Sequence, residues 1–433
     1  MPEREPYCTV MGILDDGWAG LSDAARHRLG SADVVIGAGR TLALVRPHLR
    51  AVTAIHDLDG ALGKVPGWIG AAAAQGQTTV VLATGDPLCH GIAALLMGKL
   101  GKGAVEVLPA PSTLQLAFAR LKRPWQDYRI VSCHGADAGE WNAWAPGVTP
   151  AHGLYPIVRA LAEHPRVAVF TSPENGPDRI ARALLAAGYG EEVRISVAAR
   201  LAQADEALFP DLTLAEAAQG FPDPNVVLIE RSATEHRAIF GFDDGEYIQR
   251  QPEKGLITKL EARAVSLAKL GLRPDSIVWD IGAGAGSVGL EASRLARHGH
   301  VWAIEKNAGD AANARDNARR LKASNYTLAE GRAPAGLEAW PDPDAAFIGG
   351  SGGELAQLIT LILQRLKPDG RLVMNFVTLE NLAAATATLT AVNALWEVVQ
   401  LQASRSQPIL DMHRLAAQNP VWIVTARKNQ ENV

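Results

Sequence analysis

Short apolar runs recur along the chain, each closed by Gly, Pro, Asp or Ser, and most are followed by apolar positions at helical spacing. Cys8–Ile13 reads as a first strand, Leu14–Trp18 as a turn, and Ser22 as the N-cap of a helix running to about Leu29. Ala32–Ile36, Thr78–Ala83, Val105–Leu108, Arg129–Ser132, Arg166–Phe170 and Asn225–Ile229 are further strands. Helices are predicted from about Gly91 to Leu100, from Leu114 to Leu121, and after Glu174 as far as Ala187. This alternation predicts an α/β first half.

From Glu230 to Gly255 no periodicity is sustained, so the segment reads as a connection. Thr258–Ala268 then has the spacing of an amphipathic helix, Ile277–Ile281 and Val301–Glu305 are strands, and a helical stripe begins at Leu290. A helix near 310–321, strands at 326–328 and 345–348, a helix at 354–366 and a strand at 370–375 follow. A last helix and strands at about 396–402 and 420–426 complete a seven-strand α/β layout. The expected organisation is a first domain over 1–235, a linker over 236–255 and a second domain over 256–433. No internal repeat is found.

At 433 residues the chain exceeds one ordinary core, which agrees with two domains. Hydrophobic residues make up 48% and charged ones 20%, a globular composition. A net charge of −4 and a pI near 6.3 offer no basic field for nucleic acid or an anionic membrane. Cys8, Cys89 and Cys133 are far apart and lack metal-ligand spacing, so no metal is expected and they read as reduced thiols. The first residues lack an apolar signal core, and no apolar stretch reaches bilayer length. A soluble cytoplasmic protein is expected.

The chemistry concentrates after Ile281. Gly282, Gly284 and Gly286 turn the backbone sharply, and the helix that follows points unpaired N–H groups back at the turn, which makes a nucleotide cradle. Gly284, Gly286 and Gly289 also satisfy G-x-G-x-x-G, so a nicotinamide oxidoreductase stays open. Asp280 before the glycines is placed to serve a cationic ligand, and Glu305 at the next strand end suits both hydroxyls of a ribose.

This acid–glycine–acid pattern resembles the class I S-adenosylmethionine methyltransferases, which implies a Rossmann-like seven-strand sheet. Within Glu330–Pro334 the resemblance puts Ala333 against the adenine. Gly349 and Gly350, in Gly349-Gly-Ser-Gly-Gly-Glu354, form a rim poor in side chains that suits a large flat substrate. An RNA methyltransferase is a further alternative, against which the absence of a basic stripe argues.

In the first half, Thr84-Gly-Asp-Pro87 follows a buried strand, where open α/β sheets bind ligands. Together with Gly12, Ser112-Thr113 and Thr171 it resembles the tetrapyrrole methylase family over about residues 7–235. The resemblance implies two α/β subdomains with S-adenosylmethionine in their cleft, held by Gly12, Gly85, Asp86, Ser112, Thr113 and Thr171. The family's glycine-rich first turn here reads Val10-Met-Gly-Ile-Leu-Asp-Asp-Gly17, sharing only Gly12. His134 ends a strand at the ligand-facing edge and is a candidate general acid or base.

Gly255-Leu-Ile-Thr-Lys-Leu-Glu-Ala-Arg263, the cradle, and Leu366-Lys-Pro-Asp-Gly370 resemble the decarboxylating precorrin methyltransferases of cobalamin biosynthesis. The two resemblances in one chain imply one S-adenosylmethionine per domain. They imply methylation of precorrin-6Y at C5 by the first domain. The second would methylate C15 and remove the ring C acetate carboxyl, giving precorrin-8x. Thr258 joins the implied cofactor set, and Lys259 and Glu261 would manage the proton. Arg263, His413 and Arg414 would meet substrate carboxylates with Gly349 and Gly350. The expected partner is a small-molecule tetrapyrrole, and the expected assembly a homo-oligomer.

Overall fold

The computed structural model describes residues 6–134, 137, 139–141, 150–232, 238–250 and 257–429. The chain divides into two compact units: Met1–Asp137, Glu163–Arg182 and Glu191–Ser232 in one, Ala138–Ala162, Ala183–Gly190 and Ala233–Val433 in the other.

The first unit carries β1 (Cys8–Ile13), β2 (Val34–Gly37), β3 (Ala54–Asp57), β4 (Thr79–Thr84) and β5 (Val105–Leu108) in a parallel sheet of order β3-β2-β4-β1-β5. Alternate residues serve opposite faces, so the strands read as unbroken apolar runs. Val10, Ile36 and Val81 meet Val65, Ile69 and Leu96 on one side, while Met11, Val35 and Leu82 meet Leu29, Leu42 and Val45 on the other. A second, mixed sheet has the order β6-β7-β10-β8-β9. Its strands are β6 (Arg129–Ser132), β7 (Arg166–Phe170), β8 (Val193–Ala199), β9 (Ala207–Leu212) and β10 (Asn225–Arg231). The helix Thr113–Leu121 covers it with Leu114, Ala117 and Phe118.

Ser22 caps the helix Asp23–Ser31 as expected, its hydroxyl accepting from the Ala25 amide at 3.3 Å. Helices Gly39–Val45 and Val65–Ala74 and strands β3, β8 and β9 go beyond the sequence expectation.

The second unit is built on β11 (Ile277–Ile281), β12 (His300–Glu305), β13 (Tyr326–Glu330), β14 (Ala345–Ile348), β15 (Arg371–Phe376), β16 (Leu395–Leu401) and, after the hairpin β17 (Ser404–Ile409)–β18 (Met412–Ala417), β19 (Val421–Arg427). The seven-stranded order is β13-β12-β11-β14-β15-β19-β16, parallel as far as β15, with β19 antiparallel to both its neighbours. Val278, Phe347 and Val373 enter the core shared with Leu267, Leu290 and Ala311. Trp279, Ile281, Ile348 and Met374 enter the core shared with Leu358, Ile359 and Leu389. Each Val, Leu, Ile, Phe or Met among them contributes about 1.5–3 kcal/mol on burial. The sheet is the one expected; the β17–β18 hairpin is not.

One expectation is corrected. Residues 236–255 were read as a linker, but their described part, 238–250, is packed structure. Phe242 and Tyr247 are buried in the second unit's core. The reason is a fully buried carboxylate, Glu291. It accepts from the amides of Gly241 (2.6 Å) and Phe242 (3.3 Å), the Tyr247 hydroxyl (2.9 Å) and Arg263 Nε (2.6 Å). A polar, aperiodic segment is held because it supplies the hydrogen bonds that a buried carboxylate, paired with Arg263, still lacks. Residues 236, 237 and 251–255 lie outside the described residues. Among the described residues no helix is long and apolar enough to cross a membrane.

Candidate cofactor and substrate cavities

In the second unit the loops after four adjacent parallel strands converge on a cavity of about 230 Å³. After β11 come Ile281, Gly282 and Gly284; after β12, Glu305, Lys306 and Asn307; after β13, Gly331, Arg332 and Ala333; after β14, Gly349 to Gly352. This is the carboxyl edge of the strands, where such sheets bind ligands. Gly282 is required twice over: its φ is +69°, and a Cβ would collide with the backbone of Gly350. The turns after β11 and β14 thus pack backbone to backbone.

Glu305 is nearly buried. Its Oε2 accepts from the Gly284 amide and its Oε1 from the Asn307 amide, both at 2.8 Å, so the carboxylate is fixed at the cavity wall. A fixed carboxylate beside bare glycine peptides fits a ribose diol and a nucleoside that lies flat against the turn. Arg250 and Asp310, which the sequence did not suggest, line the same cavity as a bidentate ion pair.

Of the predicted cofactor residues of this half, Gly282, Gly284, Glu305 and Ala333 line the cavity, whereas Asp280, Gly286 and Thr258 do not. Asp280 is buried under the start of the helix Ser287–Leu295, its Oδ2 accepting from the Gly289 amide at 3.0 Å. Desolvation pushes its carboxyl up to about 7, further raised by nearby Glu305. It braces the cradle from below through Oδ2, while its buried Oδ1 has no hydrogen-bond partner among the described residues. Gly286, at φ +81°, is the N-cap of that helix. Gly289 lets this helix pack closely, since a Cβ there would strike Asp280 and Tyr326.

A second cavity, of about 670 Å³, shares Gly349 with the first. Its wall holds Thr258, Lys259 and Glu261 from the start of the helix Leu260–Leu270, Asn375 at the end of β15, and Arg405 and Gln407 from β17. Thr258 therefore belongs to this cavity. Gly350 lines only the first cavity. Arg405 clamps Glu261 with two bonds of 2.8 and 2.6 Å and reaches Asp244 at 3.0 Å. That clamp holds the Glu261 carboxyl below its usual range.

Arg263, expected to meet substrate, is instead fully buried. Its guanidinium donates to Glu291, Asp244 and the carbonyls of Thr258 and Phe242, and it presents no surface to either cavity. His413 and Arg414 lie exposed on β18 and line neither of these two cavities. Arg405 and Asn375 were missed. Asn375 ends a recognisable strand, a position that could have flagged it, whereas Arg405 sits in a hairpin with no apolar alternation to announce it.

The first unit holds its own cavity of about 380 Å³, lined by Asp15, Arg40, Thr84, His90, Thr113, His134, Thr171 and Asn225 among others. Thr113, Thr171 and His134, predicted site residues, are thus at the wall. Thr171 donates its hydroxyl to the backbone and side-chain carbonyls of Asn225, joining the ends of β7 and β10. Gly12, Gly85, Asp86 and Ser112 do not line it but build the loops beneath. A Cβ on Gly12 would strike the Gly85 carbonyl, Asp86 accepts from the Leu88 amide at 2.8 Å, and Ser112 forms a capping box with Gln115. Desolvation, and then His90, lower the pKa of His134, which favours its neutral, proton-accepting form. Hydroxyls, an amide and an imidazole fit a polar nucleoside. Asp15 and Arg40 form an ion pair of 3.1 Å, and Gln203 donates to Asp15 at 2.7 Å.

Two family models match the chain. The tetrapyrrole (corrin/porphyrin) methylases cover residues 8–218 and the precorrin methyltransferase domain covers residues 251–428. A precorrin-6Y C(5,15)-methyltransferase (decarboxylating) from Sinorhizobium sp. is 34% identical over 376 residues, 86% of this chain and 85% of that one. The enzyme of the same name from Mycobacterium tuberculosis (strain CDC 1551 / Oshkosh) is 29% identical over 422 residues, 96% of this chain and 99% of that one. A cobalt-precorrin-6B C(15)-methyltransferase (decarboxylating) from Salmonella typhimurium is 38% identical over 178 residues, 41% of this chain and 92% of that one.

Proposed function

The chain belongs to the family of precorrin-6Y C(5,15)-methyltransferases (decarboxylating), and from that premise we propose how its two halves divide the work. It is an S-adenosylmethionine-dependent, decarboxylating methyltransferase of cobalamin biosynthesis. In the proposal each half binds one S-adenosylmethionine. The first half methylates C5. The second methylates C15 and removes the ring C acetate carboxyl, giving precorrin-8x. The observation that carries this reading is the presence of a separate nucleoside-sized cavity at strand ends in each unit. The Salmonella relative supports the division: it is named for C15 and decarboxylation alone, and the precorrin methyltransferase model spans a stretch of the length it matches, residues 251–428.

S-adenosylmethionine supplies an electrophilic methyl group. In the second unit Glu305 holds the ribose, Gly282 and Gly284 give the nucleoside a flat backbone to lie on, and Ala333 packs against the base. In the first, Thr84, Thr113, Thr171 and Asn225 surround the cofactor. A reduced tetrapyrrole offers enamine-like meso carbons as nucleophiles, so the protein's work is alignment and exclusion of water. Orientation of this kind is worth about 7–11 kcal/mol of barrier.

In the decarboxylation the bond between the acetate methylene and its carboxyl carbon breaks. The electron pair enters the conjugated imine of the macrocycle, carbon dioxide leaves, and the methylene takes a proton to become a methyl group. Glu261, held ionised by Arg405, is not the donor of that proton.

The reduced thiols and the small-molecule substrate fit a cytoplasmic enzyme. The expected homo-oligomer is part of the proposal: Leu410, Met412 and Leu415 stand exposed on the β17–β18 hairpin, and sedimentation velocity tests it. Calorimetry of S-adenosylhomocysteine on the full chain tests the central claim. Two sites are expected, and a single site would refute the division.

A further inference from the structure

The larger cavity of the second unit brings two cations to one wall, and their surroundings assign them different tasks. Every nitrogen of the Arg405 guanidinium is engaged: Nε and Nη2 by Glu261 at 2.8 and 2.6 Å, Nη1 by Asp244 at 3.0 Å. A ligand carboxylate would have to break charge-assisted bonds to reach it. Lys259, at the N-cap of the helix Leu260–Leu270, is different. Its Nζ stands 4.0 Å from Asp244, its side chain is 47% exposed, and Asp244 is already shared by Arg263 and Arg405. An incoming carboxylate can recruit Lys259 at little cost.

The lining of the same cavity also includes the apolar side chains of Ile257, Val377, Leu401 and Val421. The distinction matters for carbon–carbon cleavage. A cation on the departing carboxylate stabilises the ground state and slows its loss, because the charge it holds disappears as carbon dioxide forms. A desolvated wall does the reverse.

We propose that Lys259, expected from the sequence to manage the proton, instead anchors a tetrapyrrole carboxylate arm that survives the reaction, leaving the scissile acetate to the apolar part of the lining. Arg405 is a positioning residue that fixes the cavity by clamping Glu261 and Asp244. This rests on the second unit being the C15 and decarboxylating site, and names the recognition chemistry within it.

The test is steady-state kinetics of the full chain with precorrin-6Y, following carbon dioxide release and C15 methylation separately from C5 methylation. K259M is expected to raise KM for the tetrapyrrole about 10- to 100-fold, the loss of one charge-assisted hydrogen bond. Its kcat should stay within about threefold of wild type, and its affinity for S-adenosylhomocysteine should not change. K259R should restore most of the KM. The wild-type KM should rise with ionic strength, and that of K259M less so. R405M should instead lower kcat and the melting temperature together. An unchanged KM in K259M, or a fall in kcat alone, overturns the anchor. Loss of C5 methylation with C15 chemistry intact overturns the division of labour beneath it, a result that the C5 readout distinguishes from failure of the anchor.

Discussion

Replacing Glu305 by Gln tests the cofactor reading where the geometry is tightest. The carboxylate accepts one backbone amide on each oxygen, both at 2.8 Å, and keeps one lone pair per oxygen for a ribose diol. Gln retains a single acceptor oxygen and sets an NH₂ against an amide N–H. One hydroxyl loses its charged partner, a bond worth about 1.5–3 kcal/mol, so the second-unit affinity for S-adenosylhomocysteine should fall about 10- to 150-fold. The stranded amide at Gly284 or Asn307 costs about 1 kcal/mol of stability, or roughly 2–4 °C of melting temperature. Titration calorimetry of the full chain carries its own control, because the first-unit site lacks Glu305 and should keep its wild-type isotherm. Equal weakening of both phases would point to global damage, and an isotherm identical to wild type would refute the ribose assignment.

The buried pair of Arg263 and Glu291 should behave asymmetrically. R263M leaves a carboxylate uncompensated in the core and should cost about 3–5 kcal/mol in urea unfolding, while R263M/E291Q should recover part of that loss; equal losses would refute the pairing. Asp280 sets a pH dependence. Its folded pKa, about 7, lies above the ordinary 3.8, so the folded state binds the extra proton between those values, and the stabilising effect of protonation is lost as pH rises through 7. D280N, which keeps an acceptor for the Gly289 amide, should therefore flatten the fall in stability between about pH 4 and pH 7; an unchanged slope in paired urea titrations would show that Asp280 is not its source.

The sheets were legible because their strands are buried on both faces and read as continuous apolar runs. Val278–Ile281 and Ala345–Ile348 are examples, and the glycines and Glu305 at their ends located the cofactor cradle. Legibility failed where polar atoms decide the structure. Glu291 looks like an ordinary helix-surface acid, yet it ties together Gly241, Phe242, Tyr247 and Arg263 through bonds to all four. Arg263 and Asp280 carry the residue types of ligand contacts, and only burial shows that one neutralises Glu291 and the other braces a helix. On β17, whose residues are almost all exposed, no apolar pattern marks Arg405 as part of a cavity wall.

The position of β19 has a consequence for biogenesis. This strand, Val421–Arg427, is the last in the seven-stranded sheet along the chain, yet it sits between β15 and β16 and is the only strand paired with β16 among the described residues. During synthesis, β16 emerges with nothing to pair with and must wait for a neighbour translated later. The five parallel strands that build the cradle can assemble before then, while the far side stays open with raw strand edges. A ribosome stalled within the final stretch would therefore release a product whose cradle is assembled but whose sheet invites aggregation.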